Sequence, residues 1–280
     1  MGKLIFGTAG IPLSTKRRNS IEGIKRLVEL GLGAMEVEFV RRVSMQEETA
    51  RKVGAFAKEQ GIVLTVHAPY YINFNSKEPE KVAASRERLI LAATRGHQLG
   101  ARGIVFHPGF RHDAPDRVVY DNVKENLIRV REELDAAGID TILRMETTGG
   151  VSQFGTFEET LEVCSEIPGV EPCIDFSHLH ARTGALNSAE EFVAMLDRIQ
   201  QVGGREALDN MHIHLSGIEY GDKGERKHLI LEESDMEYKA LLQALWDFDV
   251  GGVLICESPN IEGDALLLAQ TWEAIAQNQG

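Results

Sequence analysis

Nine histidines are spread over 280 residues, and most of them stand at one kind of position, the polar end of a short apolar run. His67 follows IVLTV, His107 follows GIVF, and His214 closes MHIH. Carboxylates stand at equivalent places: Glu146 after TILRM, Asp175 after EPCI and Glu257 after VLIC. His178 ends the run that holds Asp175, and His228 falls in the long loop expected after MHIHLSG. Only His97 and His112 lie clearly outside the pattern. Any one of these groups could be a satisfied structural residue or a helix cap. Repetition over six consecutive segments is harder to explain that way.

Imidazole nitrogens and carboxylate oxygens together suit borderline divalent metals in tetrahedral or five-coordinate sites. Glu146, Asp175, His214 and Glu257 alone would serve one octahedral Mn2+ or Mg2+. Adding His67, His107, His178 and His228 gives too many nitrogens for one ion and shifts the preference toward zinc. Two or three closely spaced ions are therefore expected, with a carboxylate such as Glu146 bridging a pair and manganese as the alternative metal. Clusters of this kind suit phosphodiester hydrolysis, because they generate a hydroxide and stabilise phosphoryl charge. His212 and His214, two residues apart in a strand, share a face. His214 is nearer the strand end and is the expected ligand, with His212 packed beneath it as a supporting group.

Such residues must be brought together by elements spaced along the whole chain. Eight strand-length apolar runs occur at 4–10, 34–40, 62–69, 103–109, 141–148, 171–178, 211–217 and 251–258. Amphipathic segments alternate with them. Asn19 or Ser20 caps one that buries Ile21, Ile24, Leu27 and Val28 and stops at Gly31. Ser188 and Glu191 have the spacing of a capping box. Eight such units without a Pro-, Gly- or Ser-rich linker predict a single (β/α)8 barrel domain over 1–280. A doubly wound sheet is the competing layout, but no GxGxxG follows the first strand. In a barrel the active face lies at the carboxyl ends of the strands, where the polar residues fall.

The net charge of −13 argues against a general electrostatic grip on nucleic acid or an anionic membrane. Carboxylates that hold cations, however, become part of a positive site once metal is bound. Three cysteines without CxxC spacing fit a reducing, cytoplasmic setting. The opening MGKLIFGTAG has no signal-like apolar core, and no run approaches the ~18 apolar residues of a membrane span. No oligomer signal is visible, so a monomer is expected.

The run of motifs VHAPYYINF, FHPG, METTGG, CIDFSHLHA, HIHLSG, GERKHL and LICESPN resembles the endonuclease IV family of apurinic/apyrimidinic endonucleases. Those enzymes are xylose-isomerase-like TIM barrels, and the resemblance runs essentially end to end. It implies a trinuclear zinc centre. His67, His107 and Glu146 would hold one ion. Glu146, Asp175, His214 and Glu257 would hold a second. His178 and His228 would hold a third with one further carboxylate. It also implies cleavage of double-stranded DNA on the 5′ side of an abasic site, in base excision repair, by a metal-bridging hydroxide. Glu146 and Glu257 would be the catalytic carboxylates, Glu257 orienting the hydroxide. Arg41 (or Arg42), Tyr70, Tyr71 and Asn73 would bind the DNA. Insertion into an abasic gap costs little, because stacking is already lost there.

The match departs from the family in two places. The third-metal loop of the family usually reads Asp-x-His, whereas here GERKHL gives Glu225 and His228 at a longer spacing, with Glu219 or Asp222 as other carboxylates in reach. The acidic charge is the second departure, since phosphate contacts normally come from Lys and Arg; Arg111, Arg182 and Lys223 lie in stretches that could supply them. The alternative reading is a one-metal sugar isomerase or epimerase of the same superfamily. That chemistry needs Glu146, Asp175, His214 and Glu257 but not the four additional histidines.

Overall fold

The computed structural model describes residues 4–278. The elements, in chain order, begin with β1 (Leu4–Ala9), α1 (Ser20–Leu30), β2 (Ala34–Glu38), α2 (Glu47–Glu59), β3 (Val63–His67) and α3 (Pro79–Leu99). They continue through β4 (Ile104–Phe106), α4 (Asp116–Ala136), β5 (Leu143–Glu146), α5 (Phe157–Glu166), β6 (Val170–Asp175) and α6 (Phe176–Thr183). The remainder are α7 (Ala189–Asp209), β7 (Met211–Leu215), β8 (Gly217–Gly221), β9 (Gly224–Leu229), α8 (Tyr238–Asp247), β10 (Gly252–Cys256) and α9 (Glu262–Asn278).

Eight strands close into a barrel in the order β1-β10-β7-β6-β5-β4-β3-β2, and β8 and β9 form a separate two-stranded sheet. The barrel strands are nearly continuous apolar runs because parallel strands are covered on both faces. In β7 and β10 every residue is buried. Each strand stops short of the apolar run that predicts it. GIVFHPG, for instance, keeps only Ile104–Phe106, since Pro108 has no N–H to donate.

By contacts the chain divides into two compact units, Met1–Met35 with Ile174–Gly280, and Glu36–Cys173. Within the second, Phe74 packs edge-on to Phe106 at 6.3 Å, and Leu89, Ala92 and Leu127 are fully buried. Within the first, Phe176 meets Phe192 at 5.8 Å over buried Leu196, Leu241 and Leu245. Asn19 caps α1, accepting from Glu22 N, and Gly31 ends the helix in the left-handed region, φ 74°. Ile24 and Leu27 are buried there, whereas Val28 is 45% exposed, so the apolar stripe is narrower than the spacing predicts. The Ser188–Glu191 capping box is present on α7.

Two placements differ from the sequence expectation. His178 is not on strand β6. Asp175 ends that strand and its side chain caps α6, accepting from His178 N at 2.7 Å, so the chain turns helical and His178 lies in the first helical turn. His228 is not in an irregular loop but on β9 of an antiparallel hairpin. Gly221, Asp222, Lys223 and Gly224 supply its turn, a composition suited to tight reversal.

Candidate metal centre

In the unit Glu36–Cys173, two imidazoles converge on one carboxylate oxygen. His67 Nε2 lies 3.2 Å and His107 Nε2 lies 2.8 Å from Glu146 Oε2. These side chains come from the carboxyl ends of β3 and β5 and from the residue after β4. The other nitrogen of His67, Nδ1, is 2.7 Å from the carbonyl of Ala68. A carbonyl only accepts, so Nδ1 carries hydrogen. Nε2 of the neutral ring then presents a lone pair toward a carboxylate oxygen, an arrangement that calls for a proton or a cation between them. Without metal the proton wins. Burial opposes charge on His67, but the hydrogen bond to Glu146 and the nearby charges of Glu38, Glu146 and Glu36 outweigh it and push its pKa up to about 10.

The other unit repeats the logic. His178 Nε2 and His228 Nε2 each lie 3.3 Å from an oxygen of Glu225, and 3.4 Å from one another. Two facing nitrogens cannot both keep lone pairs toward each other at that distance without a shared positive centre. His178 Nδ1 is held by Asp175 Oδ2 at 3.2 Å, and His228 Nδ1 by the Glu257 carbonyl at 3.2 Å. Burial opposes charging His228, while Glu225, Glu257 and Asp175 outweigh that and the opposing His178, raising it to about 9. Asp175, His178 and Glu257 also offer ligand atoms within 4.8 Å of one another. Glu257 Oε1 lies 3.4 Å from Nδ1 of the fully buried His214. His212 packs edge-on against the His214 ring at 5.2 Å. Both triads therefore fit a divalent cation: ring nitrogens and carboxylate oxygens face one point, and the far nitrogens of His67, His178 and His228 each face an acceptor.

The Glu225–His228 spacing is resolved by the hairpin. Along the ladder Tyr220 pairs with Glu225 and Glu219 with Lys227, so Arg226 is an extra residue at a β-bulge, and Ile218 pairs with His228. In a regular strand, residues three apart face opposite sides. The bulge absorbs one residue and returns Glu225 and His228 to one face. Glu219 falls on the other face with Arg226 and Lys227 at 3.5 and 3.2 Å. Glu225 is the carboxylate brought to the imidazoles.

Of the expected DNA-binding residues, Tyr70 and Tyr71 are 47% and 60% exposed, with the Tyr70 ring 5.1 Å from that of His67. Arg41 is exposed in the loop after β2. Asn73 is turned inward: its Oδ1 accepts from Asn75 N and Phe110 N, each at 3.2 Å. Arg111 is also committed to the protein, with Glu159 at 2.6 Å, Asp116 at 2.8 Å and its guanidinium over the Phe154 ring. Arg111→Ala is thus expected to cost about 2 kcal/mol in urea unfolding, as loss of a charged hydrogen-bonded pair does, and to leave metal content unchanged.

The sequence reading missed Glu36 and Glu38. Glu36 is fully buried, its Oε2 accepting from Thr65 Oγ1 at 2.7 Å, and both carboxylates bias His67 toward charge. The alternation in AMEVE was the available signal, since it puts both on one face of β2. Burial pushes the Cys256 thiol up to about 12.

A family model described as xylose isomerase-like TIM barrel matches residues 24–277. The chain belongs to that family. Within it, the chain is 44% identical over 273 residues to an uncharacterized protein of Methanocaldococcus jannaschii, covering 97% of this chain and 98% of the relative. A probable endonuclease 4 of Geobacillus sp. is 29% identical over 194 residues, covering 66% of this chain and 63% of that protein. Among solved structures, a D-tagatose 3-epimerase-like protein superposes with TM-score 0.75 at 19% identity, over 99% of this chain and 100% of that one. Endonuclease IV from Thermus thermophilus superposes with TM-score 0.73 at 21% identity, over 97% and 99%. Those two likenesses establish the barrel and do not choose between chemistries. Among the described residues no helix is long and apolar enough to cross a membrane.

Proposed function

We propose that this barrel is a metal-dependent phosphodiesterase of the endonuclease IV type, which cleaves duplex DNA on the 5′ side of abasic sites. The observation that carries the reading is the presence of two separate ligand triads, His67–His107–Glu146 and His178–Glu225–His228. Five imidazoles, counting His214, exceed what a one-metal isomerase uses. The relationship to the Geobacillus probable endonuclease 4 supports the same choice. On this reading at least two ions are held, zinc being favoured by the nitrogen-rich set.

Divalent cations there would supply Lewis-acid stabilisation of phosphoryl charge and an activated water. The protein's own part is to hold the rings by their far nitrogens, to bring Glu146, Asp175 and Glu257 beside them, and to present Tyr70, Tyr71 and Arg41 to the substrate. Asp175 and His214 belong to the same ligand set through Glu257. The setting we assign is a monomer in the cytoplasm.

The test is nicking of a duplex that carries a tetrahydrofuran abasic analogue. Activity should appear with zinc or manganese, vanish on chelation and return on readdition. Absence of nicking with zinc, manganese and magnesium, together with one ion per chain and turnover of a ketose, would replace this reading with the epimerase.

A further inference from the structure

We propose that His180, Asp235 and Tyr220 form a positioning network that holds the β8–β9 hairpin on α6 and so sets the affinity of the His178–Glu225–His228 site for its cation. The inference rests on the metal-binding reading above and concerns residues that reading leaves unused.

His180 sits two residues beyond His178 on α6 and is 3% exposed. Its two ring nitrogens face acceptors, the Ala185 carbonyl at 2.9 Å and Asp235 Oδ1 at 3.2 Å. The second oxygen of Asp235 accepts from the Tyr220 hydroxyl at 2.8 Å, and the Tyr220 ring packs edge-on against His180 at 4.8 Å. These two bonds hold Asp235 below the usual carboxylate range, against a burial that works the other way. Asn187 completes the frame, donating to the Asp235 carbonyl at 2.8 Å while accepting from Glu237 N.

The register supplies the connection to the ligands. Tyr220 pairs directly with Glu225, and Ile218 with His228. Partners in an antiparallel ladder share a face, so Tyr220, Glu225 and His228 all project toward α6. The helix answers with His178 against the two ligands and His180 against Tyr220. Ser234 fixes β8 at Ile218, the partner of His228, its Oγ accepting from Ile218 N at 3.0 Å. Without Tyr220–Asp235–His180, the end of the hairpin that carries Glu225 would lose this tie to α6. Loss of groups that orient metal ligands typically weakens binding about 10–100-fold.

Zinc affinity of the full-length protein, measured by competition with a chromophoric chelator, tests this, as does the absorption of bound Co2+. His67→Ala and His228→Ala assign each class of ion to its triad. Tyr220→Phe removes one hydroxyl and keeps the ring. It should weaken the ion lost in His228→Ala by about 10–100-fold, alter that ion's Co2+ bands, and leave the ion lost in His67→Ala unchanged. Asp235→Asn should do the same, and the two changes together should cost little more than either, as members of one network do. Tyr220→Phe with wild-type affinity and bands, or with both ions weakened equally, overturns the proposal. Wild-type protein that takes up no ion refutes the metal-binding reading itself, and the proposal with it.

Discussion

Replacing His67 with alanine is expected to remove one bound ion per chain and to lower nicking of an abasic duplex by more than about 100-fold, beyond the usual cost of losing an outer partner alone. The reason is local. His67 and His107 share a single oxygen of Glu146, which is fully buried. Taking away one ring leaves that carboxylate with one of these two imidazoles. The His178–Glu225–His228 triad, built from other elements, should keep its ion. Metal content by atomic emission and rate on the abasic duplex are the two measurements needed. A variant that loses the ion yet nicks at the wild-type rate would separate this triad from the chemistry.

The second large effect is expected from pH, and it has opposite signs with and without metal. In chelated protein His67 titrates near 10 and His228 near 9, above an ordinary value of 6.5. A group whose pKa is raised on folding contributes stability that is complete below its unfolded value and is lost as pH climbs through its folded one. Urea unfolding of the chelated protein should therefore show stability falling from about pH 6.5 to about pH 10. Metal must displace those same protons, so at each triad apparent affinity should rise about tenfold per pH unit for each proton released. Calorimetry in buffers of different ionisation enthalpy counts the protons. Chelated protein whose stability is flat over that window would show that neither ring is charged without metal.

The barrel was legible because alternation of buried strands and amphipathic helices is written in residue type, and parallel strands need apolar side chains on both faces. The candidate ligands were legible for a related reason: His67, Glu146 and Asp175 interrupt apolar runs where an apolar residue would otherwise serve. What escaped was set by pairing and not by type. Asp175 doubles as a helix cap, which moved His178 from strand to helix. Glu36 and Glu38 have the spacing of ordinary strand alternation; what sets them apart is the Thr65 hydroxyl on Glu36 and the pull of both on His67. Asn73 carries the residue type of a substrate contact, yet its Oδ1 is taken by Asn75 of its own loop and by Phe110 of the loop after β4. His180 differs from His178 only in which side of α6 meets which part of the hairpin.

The bulge at Arg226 bears on how such a centre can change over generations. A pattern with fixed spacing counts residues along the chain, whereas a cation registers only which donors reach it. Because the extra residue is looped out of the ladder, a chain lacking it would read Glu-Lys-His and still offer both donors from one side. An insertion or deletion here can thus be silent to coordination while it erases the motif by which relatives are recognised. Lineages could pass between the two spacings without an intermediate that has lost its metal.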